Sequence, residues 1–173
     1  MRILGICGSG SSRSTNAALL RAAAGAVPGM QIAADISALP HFDPGLAEPP
    51  AAVTDLQAQA SAADGIVIAS PEYAHSMPGS LKNALDWLVG SGSLAKKPVA
   101  LMSASPSYGG LRSQIAIIHT LLAHSAEIVA LLPIYAARGK LDEHGEFNDP
   151  RTLRRIRETM VALTEAAAAD QLV

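Results

Sequence analysis

The stretch Arg2–Leu20, RILGICGSGSSRSTNAALL, decides the fold. It opens on an apolar run of strand length, Arg2-Ile3-Leu4-Gly5-Ile6-Cys7, and breaks into the small polar residues Gly8-Ser9-Gly10-Ser11-Ser12-Arg13. Ser14 then stands at the N-cap of a helix that begins Thr15-Asn16-Ala17-Ala18-Leu19-Leu20. Strand, turn and helix form one βα unit, and the pattern repeats to the end of the chain. Further strands are expected over Met30–Ser37, Gly65–Ser70, Pro98–Ser103 and Glu127–Leu132, and helices over Ser14–Ala26, Ala51–Ala63, Gly79–Val89, Gly110–Ser125 and Pro150–Ala169. Ile66-Val67-Ile68 and Val99-Ala100-Leu101-Met102 are apolar without alternation, the mark of strands covered on both faces in a parallel sheet. Asp149-Pro150 supplies an N-cap followed by proline at the first helical position. Such βα units with right-handed crossovers predict an α/β three-layer sandwich, with ligands beyond the carboxyl ends of its five strands.

Composition narrows the function. A chain of 173 residues fits one domain spanning 1–173, and 49% hydrophobic against 16% charged residues is unlike a disordered chain. Thirteen basic and 15 acidic residues give a net charge of −2 without a long like-charge run, so no nucleic-acid partner is expected. The lone Cys7 excludes an intramolecular disulfide framework and points to a reducing cytoplasm. No apolar run nears the ~18 residues of a membrane span. His119 and His124 sit five apart on one predicted helix, too far round for a metal pair, so no metal site is expected.

Three loops follow strands at the ligand-binding edge. In the first, glycines let backbone N–H groups approach an anion, Ser9, Ser11 and Ser14 add hydroxyls, and the helix start adds partial positive charge. It is neither a Walker A loop, since Ser11 stands where Lys is required, nor a dinucleotide fingerprint, since Arg13 holds the third glycine position. The second, Pro71-Glu72-Tyr73-Ala74-His75-Ser76-Met77-Pro78, fixes an aromatic, a carboxylate and an imidazole between two prolines. The third, Ser103 to Arg112, again combines small hydroxyl residues with paired glycines.

At these residues the chain resembles the NADPH-dependent FMN reductase family of flavodoxin-like quinone, azo and chromate reductases. Its Gly-Ser and Ser-x-Asn elements match Gly8-Ser9 and Ser14-Thr15-Asn16. Its Pro-Glu-Tyr-Asn element, followed by Ser-x-Pro-Gly-x-Leu-Lys-Asn-Ala-x-Asp-Trp, matches Pro71 to Trp87 almost throughout. The likeness continues through Asp35–Asp43, Gly109-Gly110-Leu111-Arg112 and the tail from Phe147. Two departures stand out. Ser11 replaces an Arg common in the family and Arg13 lies two residues later, which leaves open whether a guanidinium reaches the phosphate. Ala74 replaces the usual Asn.

The resemblance implies a flavodoxin-like five-stranded parallel sheet of order 2-1-3-4-5 with helices on both faces. It implies non-covalent FMN, its phosphate on Ser9, Ser11, Ser14 and Asn16, with Arg13 as a further candidate. The isoalloxazine would lie against Pro71, Glu72, Tyr73, Ala74 and His75 on one side, and against Ser105, Tyr108, Gly109 and Gly110 on the other. NADPH or NADH would serve as cosubstrate, and hydride would pass through FMN to a quinone, azo compound, chromate or free flavin by a ping-pong route. No residue is named catalytic, because the flavin carries the reaction; His75 could protonate a reduced quinone or be a second-sphere or interface histidine. A homodimer or homotetramer is implied, with Leu81, Leu85, Trp87 and Leu88 suggesting a subunit contact. Of six aromatics, Tyr73, Trp87 and Tyr108 fall in or beside the flavin loops.

Two other readings compete. Cys7, five residues and Arg13-Ser14 spell the C-x₅-R-[ST] signature of small protein tyrosine phosphatases, with Asp149 as acid. That reading leaves the Pro71–Trp87 match unexplained. The other is a non-enzymatic flavodoxin-like electron carrier, for which a net charge of −2 offers no strongly acidic surface.

Overall fold

Successive strand side chains point to opposite faces, so a strand that is apolar throughout needs cover on both. The computed structural model describes residues 1–11 and 13–170. In its central strand Val67 and Ala69 pack on one side and Ile66 and Ile68 on the other, all fully buried. The strands are β1 (Ile3–Cys7), β2 (Gln31–Ile32), β3 (Gly65–Ala69), β4 (Pro98–Ala104) and β5 (Glu127–Ile134). The helices are α1 (Thr15–Ala26), α2 (Ala51–Ala62), α3 (Gly79–Val89), α4 (Leu111–Ala123) and α5 (Pro150–Asp170). All pairings are parallel, in the order β2-β1-β3-β4-β5, as the family resemblance implies. Leu19, Leu20 and Ala23 of α1 and Ile156, Met160 and Leu163 of α5 cover one face. Leu56 of α2, Leu81, Leu85 and Leu88 of α3, and Ile117 and Leu121 of α4 cover the other.

Register brings the loops together. Cys7 pairs with Ala69 and Ala69 with Met102, so β1, β3 and β4 leave the sheet at one edge. Gly8 N–H donates to Ala69 O at 2.8 Å and Ser70 N–H to Met102 O at 3.0 Å, which carries the pairing one step beyond β1 and β3. At the other end of α5's connection, the Asp149 carboxylate accepts from Thr152 N–H at 2.8 Å, the expected cap.

Three expectations change. The second strand is two residues long rather than eight, because Gln31 and Ile32 are exposed at the sheet edge and Asp35 then draws the chain into a 3₁₀ turn, Ile36–Ala38, accepting from Ser37 N–H at 2.9 Å. Leu81, Leu85, Trp87 and Leu88 are buried within this chain, so they do not form a subunit contact. Trp87 also lies away from the three loops: its Nε1–H donates to Pro40 O at 2.9 Å and its ring meets Phe42 edge-on at 5.0 Å. Among the described residues no helix is long and apolar enough to cross a membrane.

His124, just past α4, is 7% exposed and its Nε2 has no hydrogen-bond partner. Burial holds this imidazole below its ordinary pKa; Asp86 opposes that effect and Lys82 adds to it. The unfolded chain therefore takes up this proton first, and the stability gained by keeping His124 neutral is intact above ~6.5 and lost as pH falls from there toward the folded value. Calorimetry should show Tm falling from pH 7 to pH 5 more steeply in the parent than in His124→Leu, and parallel curves would contradict this.

Candidate functional site

The β1–α1 loop is built by hydroxyls. Ser14 Oγ accepts from Asn16 N–H at 3.2 Å and Ala17 N–H at 3.4 Å, which leaves its own hydrogen free to donate outward. Ser9 Oγ accepts from Ser11 N–H at 3.3 Å. Gly10 lies against the turn after β2: a Cβ there would come within 2.8 Å of Ser37 Oγ, so only glycine allows the approach.

Asn16 stands at the groove described below, and its amide also bonds within the protein. It is 3% exposed, its Nδ2–H donates to Ala104 O at 3.1 Å, and its Oδ1 accepts from Ala104 N–H at 2.9 Å. Each end of the amide bonds to the Ala104 backbone, so the side chain ties α1 to the end of β4. From Ala104 the network continues outward. Ser105 N–H donates to Ile134 O at 3.2 Å, and Ala137 N–H donates to Ser105 O at 3.1 Å.

Between these segments lies an open groove of about 330 Å³. Ser9, Ser11, Ser14 and Thr15 line one side with Arg13, Pro71 and Tyr73 form another, and Ala104–Pro106 with Ala137 and Arg138 close it. No carboxylate lines it among the described residues, and neither arginine has an acidic partner there. Hydroxyls, two guanidiniums and a helix start make the groove favourable to an anion.

A second layer holds the rim. Ser70 and Ser113, both fully buried, share a hydrogen bond of 3.0 Å; Ser103 Oγ donates to Gly109 O and accepts from Gln114 Nε2–H at 2.8 Å. Gly110 has φ 77° and a Cβ there would meet Ser103 Cβ at 2.6 Å, so this turn requires glycine on both counts. Glu72 spans the gap between the second and third loops, accepting from Arg112 N–H at 3.1 Å and from its Nη1–H at 3.2 Å. Partial burial pushes the Glu72 carboxyl up, but the Arg112 hydrogen bonds and His75 outweigh it and hold it below the ordinary carboxylate value. The tie is therefore intact at neutral pH and lost only in acid. Arg112 also lies 5.2 Å from the Tyr108 ring centre, a cation–π contact.

Of the predicted site residues, Ser9, Ser11, Arg13, Ser14, Asn16, Pro71, Tyr73 and Ser105 gather at the groove. Glu72, Ala74, His75, Tyr108, Gly109 and Gly110 lie outside its lining, on the rim or beneath it. Arg138 was not anticipated, because a residue after β5 reaches this groove only through the tertiary fold. Ser70 and Ser103 had a readable signal: each is a lone hydroxyl ending an apolar strand. The phosphatase triad is not supported. Burial pushes the Cys7 thiol up, away from the thiolate that chemistry needs, and the Asp149 carboxyl is held ionised by Thr152 as a helix cap.

A parallel sheet of order 2-1-3-4-5 with an anion groove at the carboxyl edge of β1 defines a flavodoxin-like α/β protein. The family model for NADPH-dependent FMN reductase matches residues 1–139, and the chain belongs to that family of oxidoreductases. It is 36% identical, over 94% of this chain and 93% of the relative, to an NAD(P)H-dependent FMN reductase of Pseudomonas aeruginosa. It is 33% identical to a probable NADPH:quinone oxidoreductase of Oryza sativa subsp. japonica, over 94% of this chain and 90% of that protein. In fold it superposes on the flavoenzyme NAD(P)H:(acceptor) oxidoreductase of Paracoccus denitrificans with a TM-score of 0.82, covering 97% of each chain at 24% identity.

Tyr73 and Ser76 close a tight turn through reciprocal backbone bonds of 3.0 and 2.9 Å, with Ala74 at φ 49° and His75 at φ 62° between them. A left-handed alanine costs about 1 kcal/mol, and asparagine tolerates the conformation better. Ala74→Asn should raise Tm by about 2–4 °C, and Ala74→Val should lower it. An unchanged or lowered Tm in Ala74→Asn would show that the turn carries no such strain.

Proposed function

We propose that this chain binds FMN non-covalently in the groove and passes reducing equivalents from NADPH or NADH to a quinone, azo compound, chromate or free flavin. The observation that carries this reading is the carboxylate-free groove at the start of α1, with three serine hydroxyls and Arg13, in a member of the FMN reductase family. The donor set fits a phosphate monoester, which is close to a dianion at neutral pH. Bound FMN supplies hydride chemistry, while the protein supplies position and electrostatics. Ser9, Ser11, Ser14 and Arg13 hold the phosphate. Pro71 and Tyr73 flank the flavin ring on one side, and Ser105, Tyr108 and the Gly109-Gly110 turn on the other. The Glu72–Arg112 tie spans those two walls. On this reading His75, whose side chain is 76% exposed beside Glu72, gives a proton to a reduced quinone.

Residues 1–173 act as one domain, and the single thiol fits a reducing cytoplasm. One domain offers little room for a separate nicotinamide site, so donor and acceptor take turns at one flavin, which is ping-pong kinetics. A homodimer or homotetramer is proposed through the outer face of α4, where Leu111, Ile115 and Leu122 are 41%, 53% and 65% exposed on one side of the helix.

The purified protein should be yellow and should oxidise NADPH rapidly, with parallel double-reciprocal lines when quinone is varied at several NADPH levels. Colourless protein that takes up no added FMN would remove the flavin reading. A yellow protein that does not oxidise either nicotinamide would be the carrier instead. Sedimentation should show a multimer for the parent and a smaller species for Ile115→Lys; identical species would move the contact elsewhere.

A further inference from the structure

We propose that Arg138 is a phosphate-binding residue of the flavin site, acting with Arg13 at the same groove; this rests on the FMN reading above. Arg138 belongs to the 3₁₀ turn Ala137–Lys140, which follows β5 and lies more than a hundred residues from the serine loop in sequence. The fold nevertheless sets both at one groove, and the connection is a continuous set of hydrogen bonds. Ser14 caps α1, Asn16 joins α1 to Ala104, and Ala137 N–H donates to Ser105 O at 3.1 Å, one residue before Arg138. Arg112, at the other end of the site, is paired with Glu72. Arg13 and Arg138 line the groove with no acidic partner among the described residues.

Charge balance gives the pair a purpose. A phosphate monoester carries between one and two negative charges near pH 7, so one guanidinium leaves a residual charge. A second guanidinium neutralises it and adds charge-assisted hydrogen bonds to those of the serine hydroxyls. Riboflavin has the same ring and ribityl chain without the phosphate, so it isolates the contribution.

The test is titration of flavin-depleted full-length protein with FMN and with riboflavin, followed by flavin fluorescence, for the parent, Arg138→Gln and Arg138→Lys. Arg138→Gln should weaken FMN about tenfold and leave riboflavin unchanged, and Arg138→Lys should recover part of the loss. The decline of FMN affinity with added salt should also be shallower in Arg138→Gln. Equal weakening of both flavins would assign Arg138 a structural role and overturn the proposal. Unchanged FMN affinity with a raised KM for NADPH would assign Arg138 to the cosubstrate and overturn it equally. Parent protein that binds riboflavin as tightly as FMN would remove the phosphate subsite altogether, while parent protein that binds neither flavin would remove the FMN reading and this proposal with it.

Discussion

The Asn16 amide closes two hydrogen bonds on the backbone of Ala104, and the carboxyl edge of the sheet depends on that pair. It joins the first turn of α1 to the end of β4, although the two are 88 residues apart in sequence. Buried polar groups gain little from being paired but lose about 1–3 kcal/mol each when left unpaired. Both members of this pair are away from water, so neither segment can shift without exposing an amide. The groove inherits its shape from this constraint: Ser14 and Asn16 define one wall, and Ala104 with Ser105 define the opposite one. Through Ser105 the same geometry fixes the turn that carries Arg138.

Outside that pair the site is divided into a rigid floor and an open rim. Ser70, Ser103, Ser113 and Gln114 are 0–1% exposed and bond to one another or to the Gly109 carbonyl, directly above the aliphatic core. A small polar layer of this kind favours one arrangement of β3, β4 and α4 over others, since any slip breaks several bonds together. The rim is different. Tyr73, His75 and Tyr108 stand in solvent, and the Glu72–Arg112 pair that links them is partly exposed and worth far less than a buried one.

The fold was legible in the sequence wherever burial was complete. Ile66-Val67-Ile68 and Val99-Ala100-Leu101-Met102 have the unbroken apolar pattern of strands between two helical layers, and α3 spans Gly79–Val89 as expected. The second strand was not legible in its extent, because an edge strand with an exposed outer face has no burial to define its end. The apolar residues of α3 could not be divided between core and interface from spacing alone, and the structure assigns them to the core. Ser9, Ser11 and Ser14 were legible as one cluster because they are neighbours in the sequence, and the structure brings them to one groove. Asn16 was legible as a residue of the groove, but its tie to Ala104 was not, since an amide after a helix cap can face a ligand, the protein or both. Arg138 was invisible for the reason the groove exists at all: its neighbours come from three separate connections.

The proposed function puts the phosphate of FMN in the groove between α1 and the ends of β4 and β5. Its most direct test is a crystal structure of the protein grown with FMN. Phosphate density is expected within hydrogen-bond reach of Ser9, Ser11 and Ser14, with the flavin ring lying toward Tyr73 and Tyr108. Flavin density whose phosphate lies elsewhere on the sheet edge, with the serine loop facing only solvent, would contradict it.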